Sequence, residues 1–342
     1  MQHGGNIYQF AKQLHCSPKD VLDFSANINP HQAIDARCLQ HVNISPYGDP
    51  DYLLLKQALK QRYLIPDGVD IEVFNGASAA IFALLRWLQP KEVVLYAPLY
   101  IEYAQIAGQL GCNVQSLNRF SDDLTDIPRG STVVLVNPST PDGQLYALPG
   151  LLTQWQAADC TIIIDESFLD FCEADSVSTH IADYDKLFVI KSLSKFYGCA
   201  GIRIGFIMAA TQAISRLKQL EPAWKLSSLD MSYMQQALAN TAFIAKTRQQ
   251  TTQWRALLQQ VLQESGLFSQ IYPGQANFLL AQLKDGMDGE QLQALLAPSR
   301  LLIRVCDNFI GLDKSHVRFA VKDPIAIRHL SDGLKRLKGI ES

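Results

Sequence analysis

The sequence predicts an α/β protein: a large domain with a mostly parallel central sheet flanked by helices, followed by a smaller α+β domain. Three observations carry this expectation. Between about residues 70 and 210, short β-branched runs alternate with helix-length amphipathic stretches. Those runs are nearly continuous in apolar residues, which suits strands covered on both faces. The final third changes character, with a long helical stretch and then short strands mixed with helices. At 342 residues and 48% hydrophobic content, the chain is long enough for two cores.

The elements follow in order. Residues 1–40 read as an irregular arm with one short helix near 7–14, joining the small domain. Residues 41–235 form the large domain and 236–342 the small one. Within the large domain, 71–74 is a strand and 79–88 a helix that stops before Pro90. Residues 92–96 form the next strand, and 101–110 a helix ended by Gly111. Further strands are expected at 131–136, 161–164, 187–190 and 202–208. Residues 232–264 read as one long helix or two joined ones. Strands at 277–281, 301–305 and 317–321 and helices at 289–296 and 325–337 complete the chain.

Composition excludes several classes of function. The formal charge is −3 and no Lys/Arg run occurs, so neither nucleic acid nor an anionic membrane is an expected partner. Seven scattered cysteines without a CxxC pair argue for reduced thiols in a cytoplasm. The seven histidines form no metal-binding pattern, so no metal is expected. The first residues show no signal pattern, and no apolar run reaches about 18 residues, the length a membrane span needs.

The chemistry concentrates in five segments that follow predicted strands. In Lys191-Ser192-Leu193-Ser194-Lys195-Phe196-Tyr197-Gly198, then Gly201-Ile202-Arg203, a strand delivers hydroxyls, a lysine and an arginine. A lysine amine bonds carbonyl cofactors when its surroundings lower its pKa. Ser192, Ser194 and Arg203 are the donors that a phosphate dianion needs. In Thr161-Ile162-Ile163-Ile164-Asp165-Glu166, an apolar strand ends in acids where open α/β sheets bind ligands. A buried carboxylate there can keep a pyridine nitrogen protonated. Asn75-Gly76-Ala77-Ser78 joins a strand to a helix, and such a start attracts anions, although Ser78 also reads as an ordinary cap. Tyr100, with Tyr103 in reserve, can stack on a flat heterocycle, or be a core aromatic. Asn137-Pro138-Ser139-Thr140-Pro141-Asp142-Gly143 is a turn-rich loop that can place a donor near the ring, or be a plain loop.

Together these segments resemble the fold-type I, aspartate-aminotransferase-like family of pyridoxal-phosphate enzymes, over essentially the whole chain. The resemblance implies pyridoxal 5'-phosphate as cofactor, Lys195 as the Schiff-base lysine and proton carrier, and Asp165 as partner of the pyridine nitrogen. It implies a phosphate held by Gly76, Ala77, Ser78, Ser192, Ser194 and Arg203, with Tyr100 stacked on the ring. Thr140 stands where the family carries an asparagine beside the ring oxygen. Phe168 stands where many members have a tyrosine, and Ala79 where an acid is common. Tyr47, in Pro46-Tyr47-Gly48-Asp49, resembles the tyrosine that reaches a neighbouring subunit's cofactor, which implies a homodimer with shared sites.

Narrower likenesses exist as well. His3-Gly4-Gly5-Asn6, the run from Asp23 to Pro30, and the run from Arg304 to Leu312 are similar to segments of the L-threonine O-3-phosphate decarboxylases of cobalamin biosynthesis. Those enzymes are close relatives of histidinol-phosphate aminotransferases. The likeness implies that His3, Asn27, Arg304 and Arg318 line a pocket for a small phosphorylated amino acid. Decarboxylation of that substrate, transamination of histidinol phosphate or a similar amino-phosphate, and a binding protein that has lost chemistry remain the three alternatives.

Overall fold

The computed structural model describes residues 4–338 other than 122, 123, 125 and 126, so the predicted site residue His3 lies outside the described residues. The amino-terminal segment carries helix α1 (Ile7–Gln13) and the short strand β1 (Leu22–Asp23). Asn6 caps α1 by accepting the Gln9 N–H. Helix α2 (Leu53–Tyr63) leads into the alternating region. There the order is β2 (Val69–Asn75), α3 (Gly76–Leu88), β3 (Glu92–Ala97), α4 (Glu102–Gln109), β4 (Asn113–Asn118), β5 (Thr132–Val136), α5 (Leu148–Ala157), β6 (Thr161–Asp165), β7 (Leu187–Ser192), β8 (Ile204–Ala210) and α6 (Thr211–Gln219).

These strands form one seven-stranded sheet in the order β2-β8-β7-β6-β5-β3-β4. From β7 to β4 every neighbouring pair is parallel, while β8 runs antiparallel to both of its neighbours. The mostly parallel sheet expected from sequence is therefore present. All residues of β5 and β7 are buried, which explains the apolar runs 133–136 and 187–190 within them. Strand β4 was not anticipated. It is a half-exposed edge strand with polar residues at most positions, so it lacks that signature.

Helices α7 (Ser228–Ala239) and α8 (Thr241–Ser265) follow, then β9 (Phe268–Ile271), β10 (Phe278–Leu283), α9 (Gly289–Leu296), β11 (Leu301–Leu302), β12 (Arg304–Val305), β13 (His316–Ala320) and α10 (Pro324–Lys338). The stretch read as one or two helices is two. Asn240 breaks it by leaving helical geometry and accepting the Phe243 N–H to cap α8. The single strand expected at 301–305 is instead two pieces. Leu301–Leu302 pairs in parallel with β1, whereas Arg304–Val305 joins the antiparallel sheet β12-β13-β10-β9. Strand β9 was also missed; its two exposed residues, Ser269 and Gln270, hide it from an apolar search.

Among the described residues there are two apolar clusters. One packs around the seven-stranded sheet and the other joins Phe24, Leu258, Leu279, Phe319 and Leu330 around the small sheet. Phe24 ties the arm to the second cluster. Its N–H donates to Leu302 O, and its own carbonyl accepts the Ala320 N–H.

Sheet register sets the site. Val136 lies beside Asp165, Asp165 beside Ile190, and Ser192 beside Gly205, so the ends of β5, β6 and β7 share one edge. Because β8 is reversed, its start rather than its end lies there, next to the end of β2 at Asn75. In the small sheet Arg304 and Arg318 are direct cross-strand partners and so share one face.

Candidate active site

At this edge lies a cavity of about 310 Å³, within the range typical of small-molecule sites. Predicted residues Asn27, Ala77, Ser78, Tyr100, Thr140, Asp165, Ser192, Ser194, Lys195, Arg203, Arg304 and Arg318 all line it. Gly76 does not; it lies directly behind the rim. Its φ of +78° suits glycine, and a Cβ there would come 2.3 Å from Nη2 of Arg203. Gly205 serves the same turn from the other side, since a Cβ there would come 2.4 Å from the Ala77 nitrogen. Gly76 thus lets the Arg203 guanidinium pack on the first turn of α3, and Gly205 lets the β8 backbone approach that turn. Tyr47 is also absent from the cavity. It is 81% exposed and stacks on Trp224 with ring centroids 4.7 Å apart.

Lys195 sits three residues beyond β7, with Nζ 4.7 Å from the centre of the Phe168 ring. Burial pulls its pKa down to about 8; nearby Asp165 opposes the shift, and Arg203 and Arg318 add to it. Asp165 closes β6 and is nearly enclosed. Its Oδ2 accepts the Tyr103 hydroxyl at 3.0 Å and its Oδ1 accepts the Ser167 N–H at 2.9 Å. Tyr103 is therefore a brace behind Asp165, and burial followed by that carboxylate pushes its pKa well up. Tyr100 is the tyrosine that faces the cavity, with its hydroxyl 3.1 Å from Ser78 Oγ.

The arginines have different surroundings. Arg203 Nη1 donates to Ser194 Oγ at 3.4 Å and to the Ala200 carbonyl at 3.3 Å. Arg318 Nη1 donates to Thr140 Oγ1 and Nη2 to the Ser25 carbonyl, both at 3.0 Å. Its Nε has no partner among the described residues, and burial pulls its pKa down to about 10. Arg304 contacts Asn308 and the Val305 carbonyl. Asn27 Oδ1 and Ser167 Oγ are likewise buried without partners. Buried polar groups are normally paired, so these orphans point to a polar ligand.

Two features escaped sequence reasoning. Arg119, just past β4, forms a buried ion pair with Asp142: Nη2 to Oδ1 is 3.0 Å and Nη1 to Oδ2 is 3.1 Å. It also donates to Ser139 Oγ, the Tyr146 hydroxyl and the carbonyls of Tyr96 and Pro98. This fixes the 137–143 loop that carries Thr140. In the same loop, the Asn137 side chain is occupied by both backbone polar groups of Tyr146 and does not reach the cavity. The second feature is the ion pair between Lys191 Nζ and Glu166 Oε2 at 3.0 Å, buried beneath the two active-site segments. Asp142, Glu166 and Lys191 lie within noted motifs, but no local spacing announces either pairing.

A lysine amine, a pinned carboxylate and an anion-accepting rim of serines and arginine around one cavity define a class of enzyme. The sequence model of the family "Aminotransferase class I and II" matches residues 19–333, and the chain belongs to that family of pyridoxal-phosphate-dependent enzymes. Among its relatives is the threonine-phosphate decarboxylase of Salmonella typhimurium, 30% identical over 98% of this chain and 96% of that protein. Among solved structures, the histidinol-phosphate aminotransferase of Clostridium acetobutylicum is 27% identical with a TM-score of 0.83, covering 92% of this chain and 98% of that one. The L-threonine-O-3-phosphate decarboxylase of Porphyromonas gingivalis shares the fold at 23% identity, with a TM-score of 0.81 over 92% and 99% of the two chains. The residues present fit the family's cofactor: the Lys195 amine has a lowered pKa, Asp165 is held by two donors, and Ser78, Ser194 and Arg203 face the same space. No helix among the described residues is long and apolar enough to cross a membrane.

Proposed function

We propose that this enzyme decarboxylates L-threonine O-3-phosphate, releasing CO2 and (R)-1-amino-2-propanol phosphate, a step that belongs to cobalamin biosynthesis. The observation that carries this reading is the convergence of three guanidiniums, Arg203, Arg304 and Arg318, on one cavity. The cofactor phosphate accounts for one. A substrate with both a phosphate and a carboxylate accounts for the other two, and charge-assisted bonds to arginine are the strong ones. The near full-length likeness to the Salmonella decarboxylase supports the same reading.

When bound, pyridoxal phosphate withdraws electrons from the amino-acid α-carbon. Lys195 would hold it covalently, since its amine is substantially neutral near pH 8. Asp165, oriented by Tyr103 and the Ser167 N–H, would hold a proton on the ring nitrogen. Ser78, Ser192, Ser194 and Arg203 would bind the phosphate with the Ala77 backbone, behind which Gly76 leaves room, and Tyr100 would stack on the ring. Arg318, fixed by Thr140 and Ser25, orients the substrate carboxylate. Arg304 and Asn27, with His3, take the substrate phosphate. Lys195 then returns a proton to the α-carbon once the carboxylate has left. Tyr47, exposed on Trp224, serves the cofactor phosphate of a second copy in a homodimer.

Transamination is the competing reading, favoured by the likeness to the Clostridium aminotransferase. The test is to give the cofactor-loaded protein L-threonine O-3-phosphate and, separately, histidinol phosphate with a keto acid. CO2 from the first and no keto product from the second is the expected result. The reverse outcome assigns the protein to the aminotransferases.

A further inference from the structure

Residues 25–29 of the arm cross from the small sheet to the catalytic lysine, and four successive carbonyls along them are held by side chains from the last quarter of the chain. Arg318 donates to Ser25 O at 3.0 Å. Lys322 Nζ donates to Ala26 O and to Ile28 O, each at 3.3 Å. Asn277 Nδ2 donates to Asn27 O at 3.1 Å. The next residue turns to the large sheet. The Asn29 N–H donates to the Lys195 carbonyl at 3.0 Å, and its Nδ2 donates to Phe196 O at 2.9 Å. Five residues thus connect Arg318 to the backbone of Lys195.

Lys322 supplies two of these contacts from just past β13. Among the described residues, no carboxylate lies within ion-pair distance of it. Burial lowers its pKa, with Asp23 and Asp323 opposing at longer range. Lys322 is half-buried, and an ammonium held by carbonyls alone is a costly arrangement for a general-purpose surface residue. Ala26, Asn27 and Ile28, the three residues it brackets, all line the cavity, and Asn27 Oδ1 is one of the orphan acceptors there.

We propose that Lys322 is a positioning residue that clamps 26–28 so that Asn27 is presented to the ligand and the substrate face is kept in register with Lys195. The proposal rests on the reading that this cavity takes an amino-acid phosphate. It goes beyond that reading in assigning substrate affinity to a residue that does not line the cavity.

The test uses cofactor-loaded protein carrying Lys322→Met, which keeps length and removes the ammonium, and Lys322→Arg, which restores donors. Lys322→Met is expected to raise KM for L-threonine O-3-phosphate about tenfold while kcat changes less, the size expected for losing charge-assisted hydrogen bonds. The cofactor absorption band stays where it is. Amide hydrogen exchange over residues 26–29, measured without substrate, speeds up about tenfold. Lys322→Arg recovers most of both effects. A folded Lys322→Met protein with unchanged KM and unchanged exchange overturns the proposal. So does a fall in thermal midpoint with KM unmoved, which assigns Lys322 a structural role only. If the unmodified enzyme does not turn over L-threonine O-3-phosphate, it is the functional reading that fails, and the exchange measurement alone decides the clamp.

Discussion

The two walls of the cavity are built by different rules. The wall from the large sheet is made at strand ends: Ala77, Ser78, Tyr100, Thr140, Asp165, Lys195 and Arg203 all lie within four residues of one. Its key carboxylate already has its partners before any ligand arrives. The wall from the small sheet and arm is made by side chains far apart in sequence, and it keeps orphan groups at Arg318 Nε and Asn27 Oδ1. The first wall also keeps an orphan, Ser167 Oγ, but its carboxylate is oriented in advance, as suits one constant occupant. We read the second as the wall of a ligand that comes and goes, which would supply the partners that Arg318 Nε and Asn27 Oδ1 lack.

This contrast is open to attack by substitution, and the largest effect is expected on the first wall. Lys195→Ala should lower turnover by at least about 10³-fold and abolish covalent retention of cofactor, read by mass after borohydride reduction. Next comes the ion pair behind Thr140. Asp142→Asn leaves Arg119 buried without its counter-charge and should lower unfolding free energy by about 3 kcal/mol in a denaturant titration. On the second wall, Arg318→Met should raise KM about 100-fold while the bound-cofactor absorption band stays in place. A shifted band would mean that the walls are not separable. Tyr103→Phe removes one of two donors to Asp165 and should lower kcat only about tenfold with KM little changed.

The gentlest probe is pH. The Lys195 pKa is lowered to about 8, so its amine is protonated below that pH and neutral above it. Recombination of cofactor-free protein with pyridoxal phosphate needs the neutral amine, so its rate should climb with pH and level off above about 8. An unperturbed lysine would keep the rate climbing toward about 10.4. A stopped-flow pH series of the absorbance change distinguishes the two.

The same contrast explains what the sequence disclosed. Lys195, Asp165 and Arg203 were legible because a strand, its terminal residue and the following turn are contiguous, so geometry and spacing coincide. The Arg119–Asp142 pair was not, because its partners are 23 residues apart and only the folded sheet edge brings them together. Lys322 was hidden for the same reason, with its carbonyl partners at the other end of the chain. Thr140 read as a departure beside the ring, and only the fold reveals its bond to Arg318. Among the elements, β1, α2, α5 and α6 were not expected either, while β4 and β9 went unseen because half-exposed edges carry too few apolar residues to stand out.

Strand β8 has one more consequence. Because it starts at the rim where β7 ends, the turn between β7 and β8 acts as a ruler with Lys195 near one end and Arg203 at the other. Two residues added there would slide the guanidinium off its perch on Gly76 while leaving the amine in place. The same insertion at residues 182–185, at the opposite end of β7, would pass without disturbing either. Engineers seeking to graft a loop onto this scaffold have their map in the direction of a single strand.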